Sequence, residues 1–197
     1  MNKKEKKIDL WFSIGSTYTY LTVTRIKDTV IKNNININLK PFNVRSIMLE
    51  MDNRPFPPSK KIKVDHMWRD IQRRAEIYKI VVPSLPVPYP LKNMELANQI
   101  ALLGVNEGWC LEYLELTYHN WFINKLPAGE DENLILTFKK LNINYDEIKK
   151  KSSTNELKNN LIEQTKIAKS KGIFGAPTFI VDKELFWGDD RFEDAIK

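Results

Sequence analysis

The sequence predicts an α/β protein whose small sheet is formed by the two ends of the chain, with a large all-helical insertion between them. Three observations support this fold class. Residues 8–42 follow a strand–helix–strand pattern. Residues 45–170 carry apolar residues at helical spacing and show no strand pattern. Residues 178–187 return to strand character in two short segments, and a helix start follows them.

Composition limits the classes of protein that fit. Of the 197 residues, 42% are hydrophobic, as in ordinary globular proteins. The net charge is +6, but basic and acidic residues alternate along the chain, so we expect no nucleic-acid partner, and a field that favours small anionic ligands. The one cysteine, Cys110, excludes a disulfide within the chain and a metal site of paired thiolates. No apolar run has signal-peptide or membrane-helix length, and we expect a cytoplasmic protein without membrane contact.

The first unit is a β-α-β pattern. Residues 8–14 form a nearly continuous apolar run, which is typical of a strand buried on both faces. A helix is expected over residues 18–32, with Ser16 or Thr17 as its N-cap. Apolar and polar residues then alternate to about residue 42, which predicts a second strand, parallel to the first.

The insertion reads as a series of helices. An extended segment rich in proline occupies residues 81–91, and a capping box of Ser153 and Glu156 opens the last helix, which ends at Gly172. The other helices are predicted at residues 45–51, 60–80, 94–107, 109–124, 131–141 and 145–150.

The final unit begins with a glycine-rich turn before Pro177. A proline fits only the first position or an edge of a strand, and we consider a cis peptide bond here, with an ordinary trans hairpin turn as the alternative. Strands follow at residues 178–181 and 185–187, and a helix starts at Gly188 and Asp189.

Together the two end units make a thioredoxin-like sheet. We assign residues 7–44 and 166–197 to this discontinuous domain and residues 45–165 to a helical insertion domain. Ligands of open α/β sheets bind beyond the carboxyl ends of the strands, which here means the segment that contains Ser16.

The residues at this position define the possible chemistry. A redox enzyme would carry a C-x-x-C motif, whereas this chain has Ser16-Thr17-Tyr18-Thr19, which excludes thiol–disulfide exchange by the protein itself. A serine hydroxyl at a helix start can instead stabilise the thiolate of a ligand. A charge-assisted hydrogen bond contributes about 1.5–3 kcal/mol, and the helix dipole adds about 0.3–1 kcal/mol. The alternative is that Ser16 only caps the helix.

Four motifs stand out along the chain. The first is F-S-I-G-S-T-Y-T-Y-L around Ser16, the second is Asn53-Arg54-Pro55, and the third is the helix K-V-D-H-M with Asp70. The fourth, G-I-F-G-A-P-T-F followed by E-L-F-W-G-D-D-R, is the longest and most specific. All four resemble motifs of the 2-hydroxychromene-2-carboxylate isomerases and kappa-class glutathione transferases, where the first reads F-D-x-x-S-P-Y-S-Y-L. The resemblance covers essentially the whole chain.

This resemblance implies a glutathione site. Ser16, in the loop with Thr17 and Tyr18, would hold and activate the glutathione sulfur. Ala176, before a cis-Pro177, would pair through its backbone with the cysteinyl part. The remaining implied contacts are Asn53 and Lys63 with the tripeptide or an anionic co-substrate, and Asp190 and Arg191 with the γ-glutamyl end, where the alternative is helix capping and an exposed ion pair.

The chain departs from the family pattern at several positions. Thr17 stands where the family has proline, and Ser13 where it has aspartate. The spacing from Asn53 to Lys63 is longer than usual, which leaves Lys60 and Lys61 as rivals of Lys63. The remaining departures are His66 in place of tyrosine and Phe56 between the paired prolines.

By this resemblance we expect a glutathione-dependent isomerase that acts on a small anionic, aromatic-derived acid, without a metal or redox cofactor, and that forms a homodimer. A kappa-type transferase or peroxidase, which consumes glutathione, is the alternative within the family. A non-catalytic thioredoxin-like binding module is the alternative from another class.

Overall fold

A computed structural model describes residues 6–53 and 56–197. The strands are β1 (Lys6–Phe12), β2 (Ile35–Pro41), β3 (Thr178–Val181) and β4 (Glu184–Trp187). The helices before the insertion's proline-rich segment are α1 (Thr19–Asn33), α2 (Val44–Glu50) and α3 (Lys61–Tyr78). Those after it are α4 (Met94–Glu107), α5 (Cys110–Phe122), α6 (Asp131–Leu141), α7 (Tyr145–Ser152), α8 (Asn155–Ser170) and α9 (Phe192–Ile196), with a 3₁₀ turn at Asp189–Arg191.

The four strands form one mixed sheet in the order β2-β1-β3-β4. β1 pairs in parallel with β2, so that Leu10 lies opposite Leu39, and it pairs antiparallel with β3. The predicted fold class is confirmed: the sheet comes from the two ends of the chain, and no strand occurs between residues 45 and 170 in the described ranges. The predicted division between residues 165 and 166 falls inside α8, and the assignment of separate domains stays a prediction.

The core joins the sheet to the insertion. Leu10 and Phe12 of β1 are fully buried in one cluster with Ala97 of α4 and Trp121 of α5. Burial of large apolar side chains is the main stabilising contribution of such a cluster. The insertion helices therefore pack directly onto the sheet, and they fix the loop that follows β1.

Two predicted helix starts differ from the structure: α1 begins one residue later than predicted, and α8 has a different capping residue. α1 begins at Thr19 with Tyr18 as its N-cap, and no side chain caps it. The N-cap of α8 is Thr154, whose Oγ1 accepts a hydrogen bond from the Leu157 amide, so the predicted capping box of Ser153 does not form. Within the described residues, no helix combines the length and the apolar character needed to cross a bilayer.

Candidate active site

A cleft of about 1010 Å³ opens at the carboxyl end of β1. Seven of the predicted site residues line it, namely Ser16, Thr17, Tyr18, Asn53, Ala176, Asp190 and Arg191. Pro177 is not part of the described lining, and its carbonyl accepts a hydrogen bond of 2.9 Å from the Gly188 backbone amide. Lys63 is not part of the described lining. The fold thus brings residues from both ends of the chain to one cavity.

The base of the cleft joins Ser16 to the loop before β3. The Ser16 hydroxyl donates a hydrogen bond of 2.6 Å to the carbonyl oxygen of Ala176. The peptide bond between Ala176 and Pro177 is cis, which is one of the two alternatives that the sequence left open. Because the Ser16 hydroxyl binds Ala176 and not a backbone amide of α1, the interpretation of Ser16 as a helix cap is wrong.

Buried polar side chains of the insertion hold the Ser16 loop in place. Asn98 of α4 is fully buried; its Oδ1 accepts from the Ile14 amide at 2.8 Å, and its Nδ2 donates to the Ile14 carbonyl at 2.9 Å. The Tyr118 hydroxyl of α5 lies 3.0 Å from the Ser16 carbonyl, to which it donates. Gly15 has φ of 127°, and a Cβ there would lie 2.4 Å from the Met94 sulfur, so the loop requires glycine.

Thr17 and Tyr18 connect the loop to α3. The Thr17 hydroxyl donates to the Met67 sulfur at 3.1 Å, so Thr17 does not cap α1 either. The Tyr18 hydroxyl donates to Asp70 Oδ2 at 2.9 Å. Burial and the neighbouring Asp70 carboxylate raise the pKa of Tyr18 above its ordinary value. Tyr18 therefore stays protonated at neutral pH and acts as a hydrogen-bond donor, not as a base.

Asn53 and Lys63 occupy different environments. Asn53 is an exposed residue that lines the cleft, and its backbone N–H donates a hydrogen bond of 2.8 Å to the Met48 carbonyl. The Lys63 ammonium is exposed and lies 5.9 Å from the centroid of the Phe56 ring. Its rivals Lys60 and Lys61 are also exposed and outside the described lining, and Lys61 binds Asp65. The other members of the Asn53 motif, Arg54 and Pro55, lie outside the described residues.

The segment after β4 contains two different ionic groups. Asp190 and Arg191 are exposed and pair with each other at 3.0 Å, as the alternative interpretation of this motif predicted. Asp189 is buried, and its Oδ2 accepts from Arg74 Nε at 3.0 Å and from the Tyr78 hydroxyl at 3.2 Å. Burial raises the pKa of the Asp189 carboxyl, and the charge of Arg74 opposes that rise.

Four residues that hold or line the cleft were not predicted from the sequence, namely Asn98, Tyr118, Arg74 and Arg45. Asn98 carried a detectable signal, because it is a polar residue four positions after Met94 on the apolar face of α4. Nothing in the local sequence distinguishes Arg74 or Arg45 from exposed helix residues. Cys110 is buried, and burial raises the pKa of its thiol.

The fold and this cleft define a thioredoxin-type protein without its own redox cysteine pair. A family model of the DsbA-like thioredoxin domain matches residues 7–196, and the chain belongs to that family. Within it, the resemblance of the sequence motifs to the 2-hydroxychromene-2-carboxylate isomerases is confirmed. The 2-hydroxychromene-2-carboxylate isomerase of Sphingobium xenophagum is 24% identical over 194 residues, which cover 95% of both chains.

Solved structures give the same result for the fold. A 2-hydroxychromene-2-carboxylate isomerase superposes with a TM-score of 0.84 at 22% identity, over 95% of this chain and 91% of that chain. The cytosolic disulfide reductase DsbM from Pseudomonas aeruginosa, solved with GSH, has a TM-score of 0.64 at 10% identity and covers 96% of this chain and 95% of its own.

Proposed function

We propose that this protein is a glutathione-dependent isomerase of the 2-hydroxychromene-2-carboxylate isomerase type. The observation that carries the proposal is the position of the Ser16 hydroxyl, 2.6 Å from the Ala176 carbonyl at the base of a large cleft. Relatives over nearly the whole chain bear that isomerase name, and a fold neighbour was solved with GSH. The four motifs around the cleft support the same class.

The proposed role of Ser16 follows from its hydrogen-bonding capacity. A serine hydroxyl has one proton to donate, and in the structure that proton points to Ala176. When the cysteinyl backbone of glutathione pairs with Ala176, the hydroxyl turns to the sulfur and donates to the thiolate. Such a charge-assisted hydrogen bond contributes about 1.5–3 kcal/mol, which lowers the thiol pKa by about one to two units at 1.36 kcal/mol per unit.

The reaction then uses the thiolate as a reversible nucleophile. The hemiketal ring of the substrate opens first: its carbon–oxygen ring bond breaks, the hydroxyl proton moves to the ring oxygen, and a phenol and a conjugated ketone result. The sulfur then forms a bond to the conjugated carbon, the π electrons move to the ketone oxygen, and the former double bond rotates as a single bond. The electrons return from that oxygen, the carbon–sulfur bond breaks, and the double bond is restored as the thiolate leaves. Glutathione leaves unchanged. The protein stabilises the glutathione thiolate and provides the cleft that holds the substrate, and it is neither oxidised nor reduced.

Ser16→Ala tests the proposal. We expect the folded state to be retained and the glutathione-dependent conversion of 2-hydroxychromene-2-carboxylate to fall by at least about tenfold, because a loss of about 1.4 kcal/mol in the transition state has that effect. The acid limb of the pH–rate profile should move to higher pH. Ser153→Ala removes an exposed hydroxyl that donates to the Lys150 carbonyl, and it is the matched control.

Three measurements separate this proposal from its alternatives. Free thiol that stays constant during turnover supports the isomerase, whereas thiol consumed with an aryl halide or a peroxide indicates a transferase or peroxidase. Calorimetry that detects no glutathione binding at millimolar concentration indicates a binding module for another ligand. Equal turnover by the Ser16→Ala variant and the wild type would remove Ser16 from the mechanism.

A further inference from the structure

The charged side chains of the cleft lining differ in whether they have a partner. Arg74 pairs with Asp189, and Arg191 pairs with Asp190. Among the cations that line the cleft in the described ranges, Arg45 alone has no carboxylate within 4.0 Å. A cation without a counter-ion at a cavity surface attracts anionic ligands, since no neighbouring charge cancels its field.

One hydrogen bond anchors the Arg45 side chain and leaves its other N–H donors for a ligand. It is an exposed residue in the first turn of α2, and its Nη2 donates a hydrogen bond of 3.2 Å to the carbonyl of Leu91, which is buried. A guanidinium has five N–H donors in a rigid fork, and that geometry matches a carboxylate. One anchoring bond limits the rotamers of the side chain while the other donors remain for a ligand.

Two aromatic residues line the same cleft as this cation. The Tyr89 hydroxyl donates to the Phe56 carbonyl at 3.1 Å, and both residues line the cleft. The Arg45 guanidinium is held at the same segment, because its partner Leu91 follows Tyr89 by two residues. Burial raises the pKa of the Tyr89 hydroxyl, and the positive charge of Arg45 opposes that rise. The Phe56 ring is 6.4 Å from the Tyr18 ring. A cation next to aromatic surface fits a ligand that joins a flat ring to a carboxylate.

We propose that Arg45 is the specificity-determining residue that binds the carboxylate of the acceptor substrate. The inference rests on the proposed function, because it places the acceptor next to glutathione in the same cleft. Arg45 holds the carboxylate while the ring lies against Phe56 and Tyr89, which leaves the conjugated carbon exposed to the sulfur at Ser16. The protein therefore prefers carboxylate-bearing enones over neutral enones of the same shape.

A matched pair of acceptors tests this preference. Addition of glutathione to 3-benzoylacrylic acid and to its methyl ester is followed by the loss of enone absorbance, with the uncatalysed rate subtracted. Arg45→Met should lower kcat/KM for the acid by about tenfold or more and leave the value for the ester within about twofold. Arg45→Lys should recover part of the loss, since it keeps the charge without the fork.

Lys92→Met is the control, because it removes an exposed positive charge that is close in sequence to Leu91 and outside the described lining. This variant should leave kcat/KM unchanged for both the acid and the ester. Equal losses for the acid and the ester in Arg45→Met would overturn the proposal. So would weaker glutathione binding in that variant, since it would assign Arg45 to the glycyl carboxylate of glutathione.

Direct binding separates this inference from the proposed function. If the wild type neither binds glutathione nor catalyses its addition, the proposed function is wrong. Titration with cinnamate and with cinnamamide, followed by tryptophan fluorescence, then tests Arg45 by itself. Tighter binding of cinnamate that is lost in Arg45→Met supports the carboxylate site, and equal binding of the two ligands overturns it.

Discussion

The two sides of the cleft differ in how firmly the fold holds them. On the inner side, the Ser16 loop is fixed by Asn98 and Tyr118 through hydrogen bonds that are largely buried. On the outer side, α2 presents Arg45 and Leu49 as exposed side chains, and Leu49 is 48% exposed. Buried polar groups that are fully paired select one geometry, whereas exposed side chains rearrange at low cost.

This difference suggests a division of work. In the proposed mechanism the inner side holds an oxygen and a sulfur within hydrogen-bonding distance, and a displacement of about 1 Å at such a position can reduce a rate about a hundredfold. The outer side only has to accept a ring and a charge, which tolerates movement. Substitutions that disturb the inner side should therefore reduce turnover more than substitutions on the outer side.

The largest effect is expected from Asn98→Leu. This change removes the bonds of Asn98 to Ile14 and to the Met94 carbonyl, and it leaves the amide and carbonyl of Ile14 buried without partners. Each such group costs about 1–3 kcal/mol, so we expect the free energy of unfolding to fall by about 3 kcal/mol. The displaced Ser16 loop should lower turnover by about a hundredfold. Urea unfolding and initial rates measure the two effects.

Asn33→Leu is the matched control for that variant. Asn33 ends α1, is exposed, and donates a hydrogen bond to the Thr29 carbonyl. Its replacement should change the free energy of unfolding by no more than about 0.5 kcal/mol. If Asn98→Leu were equally mild, the inner side would not depend on the insertion helices and the comparison would fail.

A smaller effect is expected from Asp189→Asn. Asp189 receives hydrogen bonds from Arg74 and Tyr78, and Arg25 donates to its carbonyl oxygen at 2.6 Å. Breaking a fully buried ion pair costs about 3–5 kcal/mol. Because the Arg74 side chain is 24% exposed and can be hydrated, we expect a loss of about 1–3 kcal/mol in unfolding free energy.

The same variant tests the position of the Asp190–Arg191 pair, which directly follows Asp189. Looser placement of this pair should raise the glutathione dissociation constant by about three- to tenfold, equivalent to about 0.7–1.4 kcal/mol. Isothermal titration calorimetry measures this dissociation constant. Asp28→Asn changes an exposed carboxylate of α1 and should alter neither quantity. Unchanged glutathione affinity in Asp189→Asn would show that the buried network serves stability alone.

The sequence predicted the parts of this architecture that depend on local pattern. Period-two alternation placed β2, and the apolar run placed β1, to within two residues at each end. The glycine-rich motif before Pro177 identified the loop that Ser16 contacts. These features follow from alternation, turn chemistry and proline geometry, all of which operate over a few residues.

The rest depends on packing between distant segments. The D-D-R motif does not reveal which aspartate is buried, because Arg74 is 115 residues away in sequence and is brought to Asp189 only by the fold. The hydroxyl of Ser16 satisfied the pattern of an N-cap, but a carbonyl on the other half of the sheet binds it instead. The family resemblance implied Lys63 as a contact, but α3 places its ammonium near Phe56 and outside the described lining of the cleft.

The smallest effect is expected from Cys110→Ala, which asks whether the reacting sulfur belongs to the chain. Cys110 begins α5 and is 3% exposed, and burial raises the pKa of its thiol, so little thiolate forms at neutral pH. The substitution leaves a small cavity and should lower the free energy of unfolding by about 1 kcal/mol. Glutathione-dependent turnover should stay within about twofold of the wild type.

In the folded protein the Cys110 thiol should not react with a disulfide reagent, whereas one thiol should react after unfolding in urea. A large loss of turnover in Cys110→Ala would contradict the proposed mechanism. The reacting sulfur would then belong to the protein itself, and the inner side of the cleft would not serve to hold the sulfur of a ligand.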